Sequence, residues 1–124
     1  MKKLLVVLAF CLTAISLSAQ EKLKFMQITT IESVVGGGFG RSKMIITKED
    51  GSQEERDLEN LFSLTGINMK NIKSNESSIL QVLKVYTDAG WKLQSTIPLT
   101  LSPAQTGNGI FMTRYLMVKE EEKK

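Results

Sequence analysis

The only cysteine of this 124-residue chain, Cys11, falls inside an N-terminal stretch that is expected to leave before the domain folds. That stretch, MKKLLVVLAFCLTAISLSAQ, opens with Lys2 and Lys3, runs apolar from Leu4 to Leu12 and closes on small and polar residues around Ser16, Ser18 and Ala19. The layout is that of a secretory signal peptide over residues 1–19, and its apolar run is short for a membrane span. Cleavage after Ala19 leaves Gln20 first, with Leu17 larger than a peptidase prefers at its position. The sole thiol goes with the leader, so no disulfide can staple what remains and a hydrophobic core must hold it. About 105 residues are left, enough for one small domain over 20–124 and too few for two.

A lipid-modified Cys11 is the rival reading, but Phe10 stands before it where a lipoprotein signal requires a small residue. The expected address is therefore the periplasm or the exterior, with no membrane span after signal removal. Losing Lys2 and Lys3 takes 16 cations to 14 against 13 acids, so the net charge falls from +3 to about +1. No broad positive field remains to attract phosphates, which argues against nucleic acid as a partner.

Leu23 to Val35 is rich in Phe, Ile, Val and Thr, and its alternation changes phase between Ile28 and Ile31. A long strand with a bulge near Thr29 and Thr30 is expected. Ser42 to Lys48 reads as a second strand, Glu49-Asp50-Gly51-Ser52 as a turn, and Gln53 to Leu58 as a polar edge strand. DLENLFSL has the spacing of one or two helical turns, and INMKNIKSN has no clear period and reads as a loop. From Asn75, taken as a cap, Ile79, Leu80, Val82, Leu83 and Tyr86 recur at helical spacing until Gly90. Trp91, Leu93, Ser95 and Ile97 then alternate as a strand that Pro98 ends, and Leu99 to Gly109 reads as a loop.

The last strand, Ile110 to Val118, is apolar on both faces. That suits a central strand covered by the helix on one side and by a loop or a partner subunit on the other. The KEEEKK end reads as a solvated tail. The order of elements predicts an α+β domain, an antiparallel sheet of four to five strands with one main helix packed on one face.

Glycines cluster in VVGGGFGRSK, residues 34–43. Arg41 stands where the dinucleotide fingerprint needs its third glycine, and Arg41-Ser42 fails the Lys-Ser/Thr of a phosphate loop. The plain reading is a wide hairpin end. The sharper one is an anion-binding concavity made of exposed amides with Phe39, Arg41 and Ser42. Trp91, Arg114 and Tyr115 could line a shallow ligand surface if their strands are neighbours, although core packing is the plainer role for the two aromatics.

Without histidine or a mature-chain cysteine, the commonest general base, the thiol nucleophile and the usual zinc and copper(II) ligands are missing. The five methionines of the mature chain lie scattered on apolar positions, as core filling. No metal, cofactor or catalytic residue is assigned. Asp57 with Glu59 is the densest carboxylate pair for glycoside hydrolysis, and solvated edge charge is its plainer reading.

The segment TDAGWKL after a helix, with FMTRYLMVK as last strand, resembles a family of small bacterial domains of unknown function. That family is marked by Gly-Trp-Glu-Leu after a helix and by a Tyr-containing terminal strand; Lys92 stands where it carries glutamate. QITTIESV followed by GFGRSKMI looks like an exported subgroup found in Bacteroidetes-type bacteria. The resemblance implies an α+β fold and a periplasmic address, and no activity.

These readings converge on an exported non-catalytic binding or protein-interaction module. Its expected partner is an envelope protein or a small anionic ligand, met through the Gly-loop surface or an apolar sheet face. The alternatives are a small envelope carbohydrate hydrolase and a structural subunit that forms a homodimer through an uncovered sheet face or edge.

Overall fold

The computed structural model describes residues 22–35, 40–101 and 109–121. Its elements are β1 (Leu23–Val34), β2 (Ser42–Thr47), β3 (Gln53–Leu58), β4 (Phe62–Ser63), β5 (Gly66–Ile67), α1 (Met69–Asp88), β6 (Lys92–Leu101) and β7 (Gly109–Glu120). Five strands form one antiparallel sheet in the order β3-β2-β1-β7-β6, and β4 pairs with β5 in a separate two-stranded ribbon. The α+β class holds, with sheet predominating over the single described helix.

The first and last strands make the spine of the sheet. β1 and β7 pair over their full length, from Leu23 opposite Glu120 to Val34 opposite Gly109. β2 and β3 extend this spine as a meander through the Asp50-Gly51 turn, where Gly51 takes a φ of 81° and Asp50 accepts hydrogen bonds from the Ser52 N–H and hydroxyl.

Because side chains alternate across a strand, the register sorts every residue onto one of two faces. Met26 lies opposite Met117, Ile28 between Ile46 and Tyr115, and Thr30 opposite Met44, so these share what we call the inner face. Met26, Ile28, Met44, Ile46, Leu58 and Met117 form one buried cluster with Val82 of α1, and Ile79, Leu83, Tyr86, Trp91 and Tyr115 pack against it. Each of the wholly buried aliphatic side chains contributes about 1.5–3 kcal/mol relative to exposure. The helix thus packs with the five-stranded sheet through Ile79, Val82, Leu83 and Tyr86, which stand at i, i+3, i+4 and i+7 along one helical stripe.

Several expectations are corrected. β1 pairs continuously with both neighbours through Thr29 and Thr30, without a bulge there. Thr30 itself is buried in the inner face, and Ile31 belongs to the opposite face, which is also partly apolar. The apparent phase change came from assigning all apolar residues to one side. The register shift lies instead in β6, between Leu93 and Ser95, so Ser95 and Ile97 turn to the face opposite Leu93. Pro98 does not end β6, which continues to Leu101; an edge strand tolerates a residue lacking an N–H.

DLENLFSL is not helical. Leu58 fills the core, the Leu61 N–H donates to the Ser33 carbonyl, and Phe62 and Ser63 pair with Ile67 and Gly66. INMKNIKSN is no loop, because α1 begins at Met69 under an Asn68 cap whose side chain accepts from the Lys70 and Asn71 N–H groups. The C-terminal end follows the sequence: Gly90 takes a φ of 89° and the Gly90 and Trp91 N–H groups close on Thr87 and Tyr86 carbonyls. Lys119 and Glu120 of the expected tail are the last residues of β7.

Candidate functional site

Asn75, displaced from its expected capping role, organises the Val34 end of the sheet. It is only 1% exposed. Its Oδ1 accepts from the Glu59 N–H at 2.7 Å, and its Nδ2 donates to the Glu59 carbonyl at 2.8 Å and to Glu32 Oε1 at 3.0 Å. One helical side chain therefore captures both backbone groups of the residue that leaves β3, as a neighbouring strand would. Asn71 adds a bond from Nδ2 to the Asn60 carbonyl at 2.8 Å.

Ser42 belongs to the same polar seam. It is 5% exposed, accepts from the Ser33 N–H at 3.0 Å and donates to Asn60 Oδ1 at 3.1 Å. A Cβ at Gly40 would run into the Ser33 side chain, so this glycine is required by close approach rather than by a ligand. Arg41 beside it is exposed. Phe39 lies outside the described residues.

The other three residues are split by the pleat. Trp91 and Tyr115 pack against the inner cluster, whereas Arg114 pairs with Thr29 and Ile97 on the outer face. Burial pushes the Tyr115 hydroxyl above its ordinary pKa, and the nearby Glu32 carboxylate adds to the rise. Arg114 and Tyr115 are sequence neighbours on opposite sides of one strand, so no single surface joins them. The five described residues divide among an exposed position (Arg41), the buried seam (Ser42), the core (Trp91 and Tyr115) and the outer face (Arg114), so they do not share one site. Asp57 is held by Lys43 Nζ at 2.8 Å, a contact that raises the Lys43 pKa. Its candidate catalytic partner Glu59 lies beyond the strand end, with its backbone clamped.

Open depressions of about 380 Å³ beside Asn60, Phe62 and Asn71, and about 590 Å³ beside Phe25 and Glu49, are shallow surfaces rather than enclosed pockets. No helix among the described residues is long and apolar enough to cross a membrane.

The distinctive surface is the outer face of β6 and β7. Ile97, Leu99, Leu101 and Ile110 are 49, 44, 65 and 37% exposed there, although they stand on successive positions of one sheet face. Met112 and Leu116 continue the apolar area beneath them, half-buried. Contiguous apolar surface of this kind marks sites of association. Arg114 is the cation in its midst. The double-sided alternation of Ile110 to Val118 signals this face in the sequence; the contribution of Leu99 and Leu101 is hidden there by the reading of Pro98 as a strand end.

Comparison with protein-family models, curated proteins and solved structures finds no significant match for this chain.

Proposed function

We propose that the protein is an exported, non-catalytic interaction module in which α1 closes the inner face of the sheet and the outer face of β6 and β7 is the docking surface for another envelope polypeptide. The exposed row of Ile97, Leu99 and Leu101 beside Ile110 is the observation that carries this reading. Apolar groups of this size, placed together on a regular strand, stabilise association when they are removed from water, at about 25 cal/mol per Å². The edge of β6 is less suited to the task than its face, because Pro98 lacks an N–H and Lys92 charges one end. Export and membership of the small bacterial family resembled by the GWKL and FMTRYLMVK segments belong to the same proposal.

The test is co-purification from the cell envelope under mild conditions with Leu99→Asp beside the wild type. Loss of the bound polypeptide with an unchanged melting temperature supports the reading. Undiminished capture refutes it, and a fall of melting temperature in step with capture makes Leu99 a core residue instead. Export is checked on the same material by the mass of the mature chain, which should begin at Gln20.

A further inference from the structure

We infer that the partner completing the outer face presents an aspartate or glutamate amid its own apolar surface, placed opposite Arg114. The inference rests on the docking reading above and adds the chemistry of what docks.

Within the strands, the outer face carries six charged side chains, and five are already paired. Lys43 holds Asp57 at 2.8 Å and Glu55 at 3.6 Å, and Lys92 holds Glu120 at 3.0 Å. The sixth, Arg114, has no carboxylate within ion-pair distance among the described residues. It stands between Ile97 and Thr29 across the sheet, with Met112 and Leu116 two positions away on its own strand. In water a lone exposed guanidinium is well solvated. Once a partner covers this apolar area, the same group loses water and must be given an acceptor, since an uncompensated buried charge is strongly unfavourable. A carboxylate matches its fork with two parallel hydrogen bonds.

A second copy of the chain does not satisfy this requirement. Arg114, Thr29, Ile45 and Glu55 lie in one row across the sheet. A two-fold axis along the strands that sets Arg114 over the copy's Glu55 must run between β1 and β2, which leaves β6 overhanging the edge of the copy. A two-fold across the strands that sets Arg114 over the copy's Glu120 must pass near Met117, which leaves Leu99, Leu101 and Ile110 outside the overlap. Each arrangement also takes a carboxylate away from a lysine that already holds it. Two-folds that do stack the apolar groups set Arg114 against apolar side chains or its own copy. A free acyl chain is equally unsuited, because the face is open where small-molecule sites are concave.

The probes are three synthetic 18-residue helical peptides with one leucine face, differing only at a central position of that face: glutamate, glutamine or lysine. Each is titrated calorimetrically into the full exported chain. The glutamate peptide should bind about tenfold more tightly than the glutamine peptide, with Arg114→Met erasing the preference and Arg114→Glu shifting it to the lysine peptide. Leu99→Asp should abolish binding of all three. Equal binding of the three peptides, still abolished by Leu99→Asp, overturns the role of Arg114 and leaves the docking face standing. Absence of any Leu99-dependent binding overturns both. A dimer in light scattering that Arg114→Glu dissociates, or Arg114-dependent sedimentation with phosphatidylglycerol vesicles, replaces the proposed partner by a second copy or by a membrane and so overturns it.

Discussion

Replacing Asn75 by alanine tests the packing of α1 more sharply than any apolar truncation. The substitution deletes three hydrogen bonds at once: two to the backbone of Glu59 and one to the Glu32 carboxylate. A net hydrogen bond contributes about 0.5–1.5 kcal/mol, and a bond to a charged group about 1.5–3. The Glu59 side chain is exposed and Glu32 is half-buried, so water replaces part of what is lost. Alanine also recovers roughly 0.6 kcal/mol of helix propensity over asparagine. The balance is a destabilisation of about 2–3 kcal/mol, or a fall in melting temperature on the order of 10–20 °C for a domain of this size. Urea unfolding followed by circular dichroism should show a lower midpoint at unchanged slope. Ser78→Ala is the control on the same helix, since its hydroxyl only bonds the Ser74 carbonyl at the surface, and it should be almost silent. A loss below about 1 kcal/mol for Asn75→Ala would refute the claim that this side chain acts as a strand-like clamp on the end of β3.

Two further substitutions probe the seam and the core. Gly40→Ala forces a Cβ into the Ser33 side chain and should cost about 1–3 kcal/mol by chemical denaturation, whereas a neutral result would show that the chain entering β2 can shift. Tyr115 has its pKa raised above 10.0, so its neutral form is favoured by folding; the stability it contributes is complete below the unfolded value and is lost as pH rises through the folded one. Ultraviolet titration of tyrosinate should therefore show a late phase that Tyr115→Phe removes, and stability above pH 10 should fall less steeply in that variant.

The sheet was largely legible because its strands announce themselves by β-branched alternation: β1, β2, β3 and β7 all lie where the pattern sets them, and Gly90 ends the helix as its backbone freedom implies. The start of α1 was not legible. Its first two turns stand off the core, with Met69 exposed and Asn75 the first buried residue, so no apolar stripe marks them before Ile79. Asparagine compounded the difficulty, because the same side chain serves as a cap at Asn68 and as a buried clamp at Asn75. The pairing of Arg114 with Tyr115 as one ligand surface ignored the pleat, which sends adjacent residues to opposite faces. Ser42 looked like an anion ligand beside Arg41, but the approach of Gly40 to Ser33 makes its hydroxyl part of the interior. Thr30 in the core and Ile31 outside it show why polarity alone misassigned the faces of β1.

The proposed role of the outer face of β6 and β7 is to meet another protein. A photo-crosslinking amino acid at position 99 in cells producing the protein, compared with the same group at position 80 on the exposed side of α1, addresses this directly. Crosslinks to a discrete polypeptide from position 99, with none from position 80, are the expected result. Crosslinks from position 80 alone, or equal and diffuse labelling from both, would contradict it.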